Sequence, residues 1–573
     1  MGLIYKQLFK QVIKDKIFLS LLLLLTMLTS LSFFFVMGSV DGNIRTLNRL
    51  QNLTANQQLY KSALHSNMIL GFIFWLSLVS LSIVVFVMFF YRFFRANKKQ
   101  IGCIKTLGFK NSSLQFFFIA FSAVLSVSGA ILGLFGGYAL SDILIRANSK
   151  TYDVTGLTKS ISRFSLVIGL IVSTILFCIT AFFCYGFVRN KEAGALLAGN
   201  TVQNRFPVTL KIADKISRIA PVNKRLSLRI ALRKPLSVLL LFVSVMAFNV
   251  CMFLGQSLNI SSAKIFHMQT AGHNYEYQIQ YQEYKTADIF SDAMMYIDST
   301  ATITINNYEL KHTVSGLYDI NALYELKNRN SELLTTPNAG YVYINPELSE
   351  IYGVKIGDIL VVTFADNQYE FIVGEIAANA QTNHIYMNGE QLTEILDIPA
   401  GSYNGVFRAD KLGGGTVTSK EQRMEELNRN SVSNKISAVI NQITGILVGI
   451  ILVFLALHIS FQDNIHDILI LSMLGHHAKY IRKLLIDVYL PVLWFLFVIT
   501  LAPSITLARA IQNSLSVSTN DYMPFGINPL VIIMAFGLMN LIYYGVQAAF
   551  SLRIKRIVEK EEITDIIYAE GSV

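Results

Sequence analysis

Apolar residues are concentrated in eight long runs, which are separated by polar segments of very different lengths. A helix of roughly 20 apolar residues crosses a hydrocarbon core of about 30 Å. The runs occupy residues 17–37, 68–91, 114–140, 164–188, 236–256, 437–461, 484–508 and 529–552. This pattern predicts a polytopic α-helical membrane protein whose eight transmembrane helices are arranged as a 4+4 repeat.

Positive charge indicates which loops stay on the cytoplasmic side of the membrane. The loop after the second run contains six Lys or Arg and no acid, and residues 189–234 contain eleven against two acids. We therefore expect both loops and both termini to be cytoplasmic. Residues 257–436 then face outward, and they carry 12 basic against 22 acidic residues, a net charge of −10, whereas the rest of the chain carries +21. This acidic region either attracts a cationic ligand or is an ordinary solvated surface.

The chain before the first run has the spacing of an amphipathic helix. Tyr5, Leu8, Phe9, Val12 and Ile13 recur at helical intervals, with lysines around them. A helix of this kind lies in the membrane interface. Two roles stay open for it, an elbow that joins the first half to a cytoplasmic partner or a simple anchor. Residues 210–219 repeat the pattern on a smaller scale.

These patterns divide the chain into seven segments. They predict an interfacial helix at 1–16, a first transmembrane half at 17–188 with a polar loop at 97–113, a basic cytoplasmic linker at 189–234, the first helix of the second half at 235–256, an extracytoplasmic α+β domain at 257–436, three further transmembrane helices at 437–552 with a polar loop at 463–480, and a cytoplasmic tail at 553–573. The first run is long and no small-x-small cleavage pattern closes it, so we expect it to be retained.

Composition agrees with an integral membrane protein. Hydrophobic residues make up 53% of the chain and charged residues 15%, and the mean hydropathy is +0.47. None of the four cysteines lies in 257–436, so that domain is expected to fold without disulfides. About 180 residues are enough to bury a core unaided.

The apolar runs contain little that could drive transport. Ion-driven pumps need ionisable groups deep in the membrane, but seven of the eight runs contain no Asp, Glu, Lys or Arg. The seventh has Asp487 and Arg509 near its ends, and we expect Asp487 to form a local ion pair with Lys483. The chain also lacks the phosphate-binding pattern G-x-x-x-x-G-K-[ST]. We therefore expect no enzymatic activity and no cofactor in this chain, with ATP and Mg bound by a partner ATPase.

Two polar segments in the predicted cytoplasmic loops align without a gap. Residues 100–108 and 467–475 both end in Leu-Gly, and each lies between two apolar runs. In the first copy an apolar face is formed by Ile101, Ile104, Leu107 and Phe109, and in the second by Ile468, Leu471 and Leu474. Gly108 and Gly475 can end each short helix in a left-handed cap. The alternative is that the two segments are unrelated turns.

The first copy resembles the signature loop of FtsX-like permeases, the MacB-type or type VII ABC transporters. The resemblance implies that each loop forms a coupling helix that docks into a groove of a cytoplasmic ABC ATPase, with two ATPase copies for each permease chain. It assigns ATPase coupling to Lys98, Gln100, Ile101, Gly102, Ile104, Lys105, Leu107 and Gly108 in the first loop and to Asp467, Ile468, Leu471, Leu474 and Gly475 in the second.

The two copies depart from the family pattern in different ways. The usual Glu before Ile-Gly is Gln100 in one copy and Asp467 in the other, and Leu469 replaces the glycine found at position 102. The two docking contacts are therefore expected to be unequal. Histidines cluster near the second copy, but adjacent histidines on a helix point roughly 100° apart, so we expect no metal site.

The segment 340–373 resembles the small α+β module of MacB-type permeases. It predicts a strand at 340–344, a short helix capped by Asn345 with Pro346 at its first position and ended by Gly353, and two further strands at 359–364 and 369–373. Another strand, 274–284, places Tyr275, Tyr277 and Tyr281 on one face. These tyrosines are either a core face or, if exposed, a binding surface for cationic peptides.

These observations favour the permease subunit of an ABC transporter in the bacterial cell membrane. The first hypothesis is export or extrusion of a peptide or lipid-like amphiphile at the outer surface, including resistance to antimicrobial peptides. The second is a non-transporting mechanotransmission complex that controls an outer-surface hydrolase or a sensor kinase. A stand-alone receptor is a third hypothesis. The expected partners are the ATPase and the lipid bilayer, and no nucleic acid is expected.

Overall fold

The computed structural model describes residues 2–50, 53–197, 235–286, 292–305, 308–365, 367–411, 414–519 and 522–558. The chain forms two compact units. The first consists of Met1–Phe253, Ile440–Ala508 and Asn528–Val573, and the second of Leu254–Val439 and Arg509–Ile527. The helical segment predicted at 210–219, most of the basic linker and the end of the tail lie outside the described residues.

Helices account for most of the described chain. They are α1 (Gly2–Lys14), α2 (Lys16–Leu47), α3 (Ala55–Ala96), α4 (Lys98–Thr106), α5 (Asn111–Tyr152), α6 (Arg163–Leu166), α7 (Ser173–Arg189), α8 (Ala193–Leu197), α9 (Pro235–Thr270), α10 (Pro346–Glu350), α11 (Gly389–Ile395), α12 (Lys420–Asp463), α13 (Ile465–Met473), α14 (Ala478–Leu485), α15 (Tyr489–Thr519) and α16 (Pro529–Val558). A π-helical turn, Val167–Val172, joins α6 to α7.

Eight stretches of the described chain are long and apolar enough to span a membrane. They are α2, α3, α5, α6 with α7, α9, α12, α14 with α15, and α16. Each contains one predicted apolar run, so the predicted membrane class and the eight spans are confirmed. Several helices extend well beyond their apolar runs. The 44 residues of α12, for example, give a helix about 66 Å long.

In the first unit, α2 and α5 pack with their backbones almost in contact. Gly129, Gly133 and Gly137 follow one another at intervals of four along α5 and face α2. A Cβ atom on Gly133 would lie 2.5 Å from the carbonyl oxygen of Met27, and one on Gly137 would lie 2.6 Å from that of Leu31. Small residues permit this approach between apolar helices, where van der Waals packing is the main source of stability.

The amphipathic helix expected at the start of the chain is present as α1. Leu8 and Val12 are buried, whereas Phe9, which was expected on the same apolar face, is exposed. Asp15 separates α1 from α2, and its Oδ1 accepts a hydrogen bond from the Phe18 backbone N–H, 3.4 Å away. A capping carboxylate at a helix N-terminus satisfies a free donor and interacts favourably with the helix dipole.

All the described strands lie in the second unit, and we call the segment Tyr277–Ser419 the inserted domain. Its strands are β1 (Tyr277–Lys285), β2 (Ala293–Ile305), β3 (Tyr308–Leu317), β4 (Tyr341–Ile344), β5 (Ile359–Phe364), β6 (Asn367–Ile376), β7 (His384–Asn388), β8 (Tyr403–Arg408) and β9 (Thr416–Ser419). Because β3 pairs with both β7 and β2, the strands β2, β5, β6, β4, β7 and β3 close into a ring. The strands β8, β1 and β9 extend the sheet from β2.

The ring has an aliphatic interior. Its core includes Ile297, Ile303, Val314, Val342, Ile344, Val362, Val373 and Ile385, all fully buried. These residues alternate with outward-facing ones along their strands, as expected for a sheet with one dry face. Closure removes free strand edges within the ring. The α+β class predicted for this region is confirmed.

The segment 340–373 forms the strands and the short helix that its sequence predicts. The β4 strand ends at Ile344, and the Asn345 Oδ1 accepts a hydrogen bond from the Leu348 backbone N–H at 3.1 Å, which begins α10 with Pro346 at its first position. Gly353 has φ = +77°, a left-handed conformation that favours glycine. The predicted strand 359–364 coincides with β5, and the predicted strand 369–373 lies within β6.

Candidate functional site

The two aligned loops form two short helices with the same backbone course. Both α4 and α13 contain nine residues, and every landmark of α13 lies 367 positions after its counterpart in α4. Asn97 precedes α4 with φ = −103° and ψ = 20°, and Asn464 precedes α13 with φ = −107° and ψ = 8°. Gly108 and Gly475 follow the helices, both with φ = +83°. The predicted left-handed glycine caps are confirmed.

The end of each helix projects an apolar side chain away from the protein. Leu107 is 70% exposed and Leu474 is 69% exposed. Each caps the C-terminus of its helix immediately before the glycine. An exposed leucine at the same point of both copies is the kind of apolar anchor that fits a pocket on a partner.

The predicted apolar faces are not continuous. Ile101 and Ile468, at equivalent positions, are both fully buried within the protein, while Ile104 and Leu471 are half-buried. The prediction that all of these side chains form a docking face is therefore corrected. Ile101 and Ile468 attach the short helices to their own unit, and the exposed leucines remain available.

The α4 helix rests on α8. A Cβ atom on Gly102 would lie 3.0 Å from the Cβ of Leu196 and 3.3 Å from the carbonyl oxygen of Ala193. Glycine at this position therefore permits close packing of α4 on α8. The counterpart of Gly102 in α13 is Leu469, which is buried.

Lys105 performs a structural task that the sequence did not indicate. Its Nζ donates hydrogen bonds to the carbonyl oxygens of Val188 at 2.9 Å, Arg189 at 3.2 Å and Lys191 at 3.0 Å. The last carbonyls of a helix have no partners within it and carry partial negative charge, so a lysine placed there stabilises the end of α7. Lys105 thereby connects α4 to the last span of the first half.

The remaining predicted coupling residues differ between the copies. Lys98 and Gln100 are half-buried on α4, and Asp467 is exposed on α13. In α13, Ile470 and Met473 are also exposed, at 56% and 67%. The exposed surface of α4 is flanked by basic residues, whereas that of α13 is apolar with an acidic residue. The surfaces around the two leucines are therefore chemically different.

A turn of the chain marks the junction of α14 and α15. Asp487 forms the expected local ion pair, but with Arg482 at 3.3 Å rather than with Lys483. Its carboxylate also accepts a hydrogen bond from Gln547 of α16, and the hydroxyl of Tyr543 donates to the carbonyl oxygen of Ile486 at 2.8 Å. Because three residues, 486–488, separate the helices, free backbone groups there need such partners.

A polar cluster that sequence reasoning missed connects the two halves. The Oδ1 of Asp15 lies 3.0 Å from Nε2 of His458 and accepts a hydrogen bond from Nε2 of Gln462 at 3.1 Å. Arg92 of α3 approaches the same carboxylate at 3.6 Å. Burial disfavours ionisation of Asp15, but His458 and Arg92 outweigh it and hold its pKa below the ordinary value. The only sequence signal was an acid among lysines directly before the first span.

The tyrosines proposed as a surface for cationic peptides form mostly a core face. Tyr275 and Tyr281 are buried, and Tyr277 is half-buried. The Tyr275 ring stacks on Phe407 with centroids 4.1 Å apart. The Arg423 guanidinium lies 4.2 Å from the Tyr275 ring centroid, so the cation partner of this ring comes from the protein itself. The binding-surface hypothesis for Tyr275 and Tyr281 is therefore wrong, because both rings are packed into hydrophobic core clusters of the domain.

No cluster of three or more potential metal ligands occurs in the part of the chain that the structure describes. A cavity of about 320 Å³ lies within the second unit, lined by residues of α9, of the segment after β3 and of the chain following α15.

The comparisons with known proteins match the repeated architecture. The family profile described as FtsX-like permease C-terminal matches twice, at residues 71–193 and 443–558. The first match contains α4 and the second α13, so the duplication found in the helix geometry is also present in the family comparison. No curated protein gives a significant match.

Proposed function

We propose that this chain, which matches the FtsX-like permease profile in both halves, is the permease subunit of an ABC transporter and transmits ATP-driven motion from a partner ATPase through α4 and α13. Permeases of that family are membrane subunits without an ATPase of their own, so the proposal includes an ABC ATPase as the partner. In the proposed arrangement, two ATPase copies dock on the two short helices from the cytoplasm of a bacterial cell. Both termini then lie on that side.

The observation that carries the proposal is the equivalence of the two helix ends. Leu107 and Leu474 are exposed to nearly the same extent and precede glycines with the same φ angle. Two equivalent anchors suit two copies of one partner, because a pair of identical subunits presents the same pocket twice.

The connections of these helices support transmission of a movement. Asn97 alone separates α3 from α4, and Asn464 alone separates α12 from α13. The α12 helix continues without interruption from Lys420, directly after the last strand of the inserted domain. In the proposal, a displacement of α13 reaches the inserted domain through this one helix, which is the mechanical step of the proposed mechanotransmission. In the first half the segment between α2 and α3 is only a short loop, so the second half carries the larger response.

The proposed task is export or extrusion of a peptide or lipid-like amphiphile at the outer surface. The alternative is a relay that controls an outer-surface hydrolase or a sensor kinase without moving a substrate. Under the extrusion hypothesis, the cavity of about 320 Å³ in the second unit is the candidate ligand site. Assignment to the MacB-type subgroup stays a prediction based on the resemblance of the loops and the α+β module.

The decisive experiment is the double substitution Leu107→Asp with Leu474→Asp. A carboxylate at each tip would have to lose its hydration to enter an apolar pocket. We expect the variant to lose at least 10-fold in affinity for the ATPase, measured by co-purification and titration in lipid nanodiscs, and to lose stimulation of ATP hydrolysis by the permease.

The matched control is Leu333→Asp, which places the same charge at a leucine of the inserted domain that is 64% exposed. This variant should bind the ATPase as the unaltered protein does. Equal binding by the double variant and the unaltered protein would contradict the proposal, as would full activity of the permease after reconstitution without any ATPase. Stimulation of ATPase activity by an added amphiphile supports extrusion, and capture of a kinase or hydrolase without efflux supports the relay.

A further inference from the structure

The cavity of the second unit has a cationic lining in a domain that is acidic as a whole. Lys264, Lys327 and Arg329 line it together with His267. They include three of only 12 Lys and Arg residues between positions 257 and 436, a segment with 22 Asp and Glu. Basic residues that gather around one cavity, in a domain whose net charge is negative, indicate a site for an anion.

The three cations come from two separate parts of the chain. Lys264 and His267 lie three positions apart on α9 and therefore on one face of that helix. Lys327 and Arg329 follow β3. Lys264 donates to the Phe525 carbonyl oxygen at 3.2 Å, and no carboxylate pairs with it among the described residues. A lysine held by a neutral carbonyl keeps its charge available to a ligand.

The acids near the cavity are already engaged. Glu325 pairs with Lys327 at 3.0 Å, and Glu350 lies 3.6 Å from Arg329 and accepts a hydrogen bond from the Tyr522 hydroxyl at 2.9 Å. Glu347, which is buried in α10, is a third acid that acts on the lining residue Tyr522, so the lysine and arginine donors that face the cavity, and not a surplus of positive charge, indicate an anion. Arg329 is still 52% exposed, and Lys327 is 35% exposed, so both retain donors that face solvent.

The walls are fixed before any ligand arrives. The Asn379 side-chain amide donates to the carbonyl oxygens of Ala271 at 2.7 Å and Glu325 at 2.6 Å, and its oxygen accepts from the Lys327 backbone N–H at 2.7 Å. One buried side chain thus joins the end of α9 to the segment that carries Lys327 and Arg329. A site held in this way loses little conformational entropy on binding.

Size and position narrow the class of ligand. A volume of about 320 Å³ is at the lower end of the range for small-molecule sites and is too small for a folded peptide. Lys264 lies eight residues beyond Gln256, where the apolar run of α9 ends, which corresponds to about 12 Å along the helix. The headgroup layer begins at the end of the apolar run and is roughly 5–8 Å thick, and a lysine side chain extends across the remaining distance.

We propose that this cavity binds a phosphate group, with Arg329 and the two lysines as its donors, and that the group is the headgroup of an anionic amphiphile. Arginine and lysine are the usual ligands of phosphate, and arginine binds two of its oxygens at once. This inference rests on the proposed function, in which the protein handles an amphiphile. It adds that the protein recognises the amphiphile by its phosphate headgroup. Binding itself requires no ATPase, and the test can therefore fail separately from the coupling proposal.

The test uses the full-length protein in nanodiscs of phosphatidylcholine, without nucleotide or ATPase. Dihexanoyl phosphatidic acid, inorganic phosphate and uncharged dihexanoylglycerol are titrated by isothermal calorimetry. The unaltered protein should bind phosphatidic acid saturably and should not bind dihexanoylglycerol. Binding of phosphatidic acid alone identifies a lipid headgroup, and equal binding of inorganic phosphate identifies free phosphate as the ligand. If neither phosphate compound binds, the proposal is overturned.

The variant for this experiment is Lys264→Gln with Lys327→Gln, and its control is Lys311→Gln with Lys355→Gln. The control removes the same charge from exposed positions of the inserted domain. We expect at least 10-fold weaker binding in the first variant and less than 2-fold change in the control. Equal weakening in both would show that only the net charge of the domain matters and would overturn the proposal. Arg329→Lys keeps the charge and loses the paired donors, so it should weaken binding about 3-fold even if the double variant fails to fold.

Discussion

The two halves of this protein share a backbone plan but use different chemistry to stabilise it. The short helices α4 and α13 begin after an Asn, end at a Leu and are followed by a left-handed glycine at matching positions. In the first half, α4 is held by Lys105 at the end of α7 and by α8. In the second half, α13 packs against α14 and α16. Asp487 stabilises the junction of α14 and α15 through its ion pair with Arg482. The backbone geometry of the short helices is thus the same in the two halves, while the contacts that hold them are not.

The spans differ in how closely their backbones approach. In the first half a Cβ atom on Gly133 or Gly137 of α5 would meet backbone atoms of α2, whereas in the second half a Cβ atom on Gly445 of α12 would first meet a side chain, that of Cys251 on α9. Polar side chains connect spans in both halves, with Trp75 donating to Ser173 at 2.9 Å and Trp494 donating to Asn540 at 2.7 Å. Because a side chain can move aside and backbone cannot, we expect the first half to be the more sensitive to enlargement of its contact glycines.

The largest expected effect of a substitution that tests this contrast is at Gly133. In Gly133→Ala the new methyl group would meet the backbone of Met27 and Leu31 on α2, and we expect destabilisation by about 1–3 kcal/mol. The measurement is thermal unfolding of the purified protein in detergent, followed by loss of monodisperse material.

Gly537 on α16 is the matched control, because a Cβ atom there would meet nothing within 4 Å. Gly537→Ala should leave the melting temperature unchanged or raise it slightly, as alanine is the better helix former. Equal melting temperatures for the two alanine variants would remove the argument that the first half depends on glycine contacts.

Asp15→Asn tests whether the halves are joined electrostatically. The substitution removes the charge that His458, Gln462 and Arg92 share, and hydrogen bonds to charged groups contribute about 2 kcal/mol. We expect a lower melting temperature together with ATP hydrolysis that no longer responds to the permease. Asp142→Asn is the control, since Asp142 forms a surface pair with Lys159 and its side chain is 53% exposed. A melting temperature no lower than that of the control would argue against the connection.

Lys105→Ala should have a smaller effect, confined to the first half. Three carbonyl oxygens at the end of α7 lose their donor, but water can replace it because the site is close to the surface. We expect a loss of about 1 kcal/mol in stability and faster hydrogen exchange in α4 and α7, measured by mass spectrometry. Lys99→Ala, at an exposed position of α4, should change neither. Faster exchange in α13 as well would mean that the two short helices are not held independently.

The smallest effect concerns the inserted domain, which only the second half carries. Burial and the neighbouring His384 lower the pKa of His312 to about 4, whereas an unfolded histidine has a pKa near 6.5. Between these values the unfolded chain binds a proton that the folded domain does not, so stability present above pH 6.5 is lost as the pH falls toward 4. We expect a melting temperature a few degrees lower at pH 5 than at pH 7.5.

His312→Gln should reduce this pH dependence, and His267→Gln, at an exposed histidine, should leave it unchanged. Melting followed by near-UV circular dichroism at both pH values is the measurement. An unaltered slope in His312→Gln would assign the effect to another group, such as His273, whose pKa burial lowers to about 3.

The eight spans, the duplicated short helices with their glycine caps, and the order of elements from β4 to β6 were all predictable from the amino-acid sequence. These features are local, since the length of an apolar run, a capping asparagine or a glycine with positive φ acts within a few residues. Three outcomes were not predictable in this way: Ile101 and Ile468 face inward while Leu107 and Leu474 face outward, Tyr275 belongs to a core, and Asp15 contacts His458, 443 positions away in the chain. Those outcomes depend on which distant segments pack together, and a pattern along one helix or strand shows which residues share a face but not what covers that face.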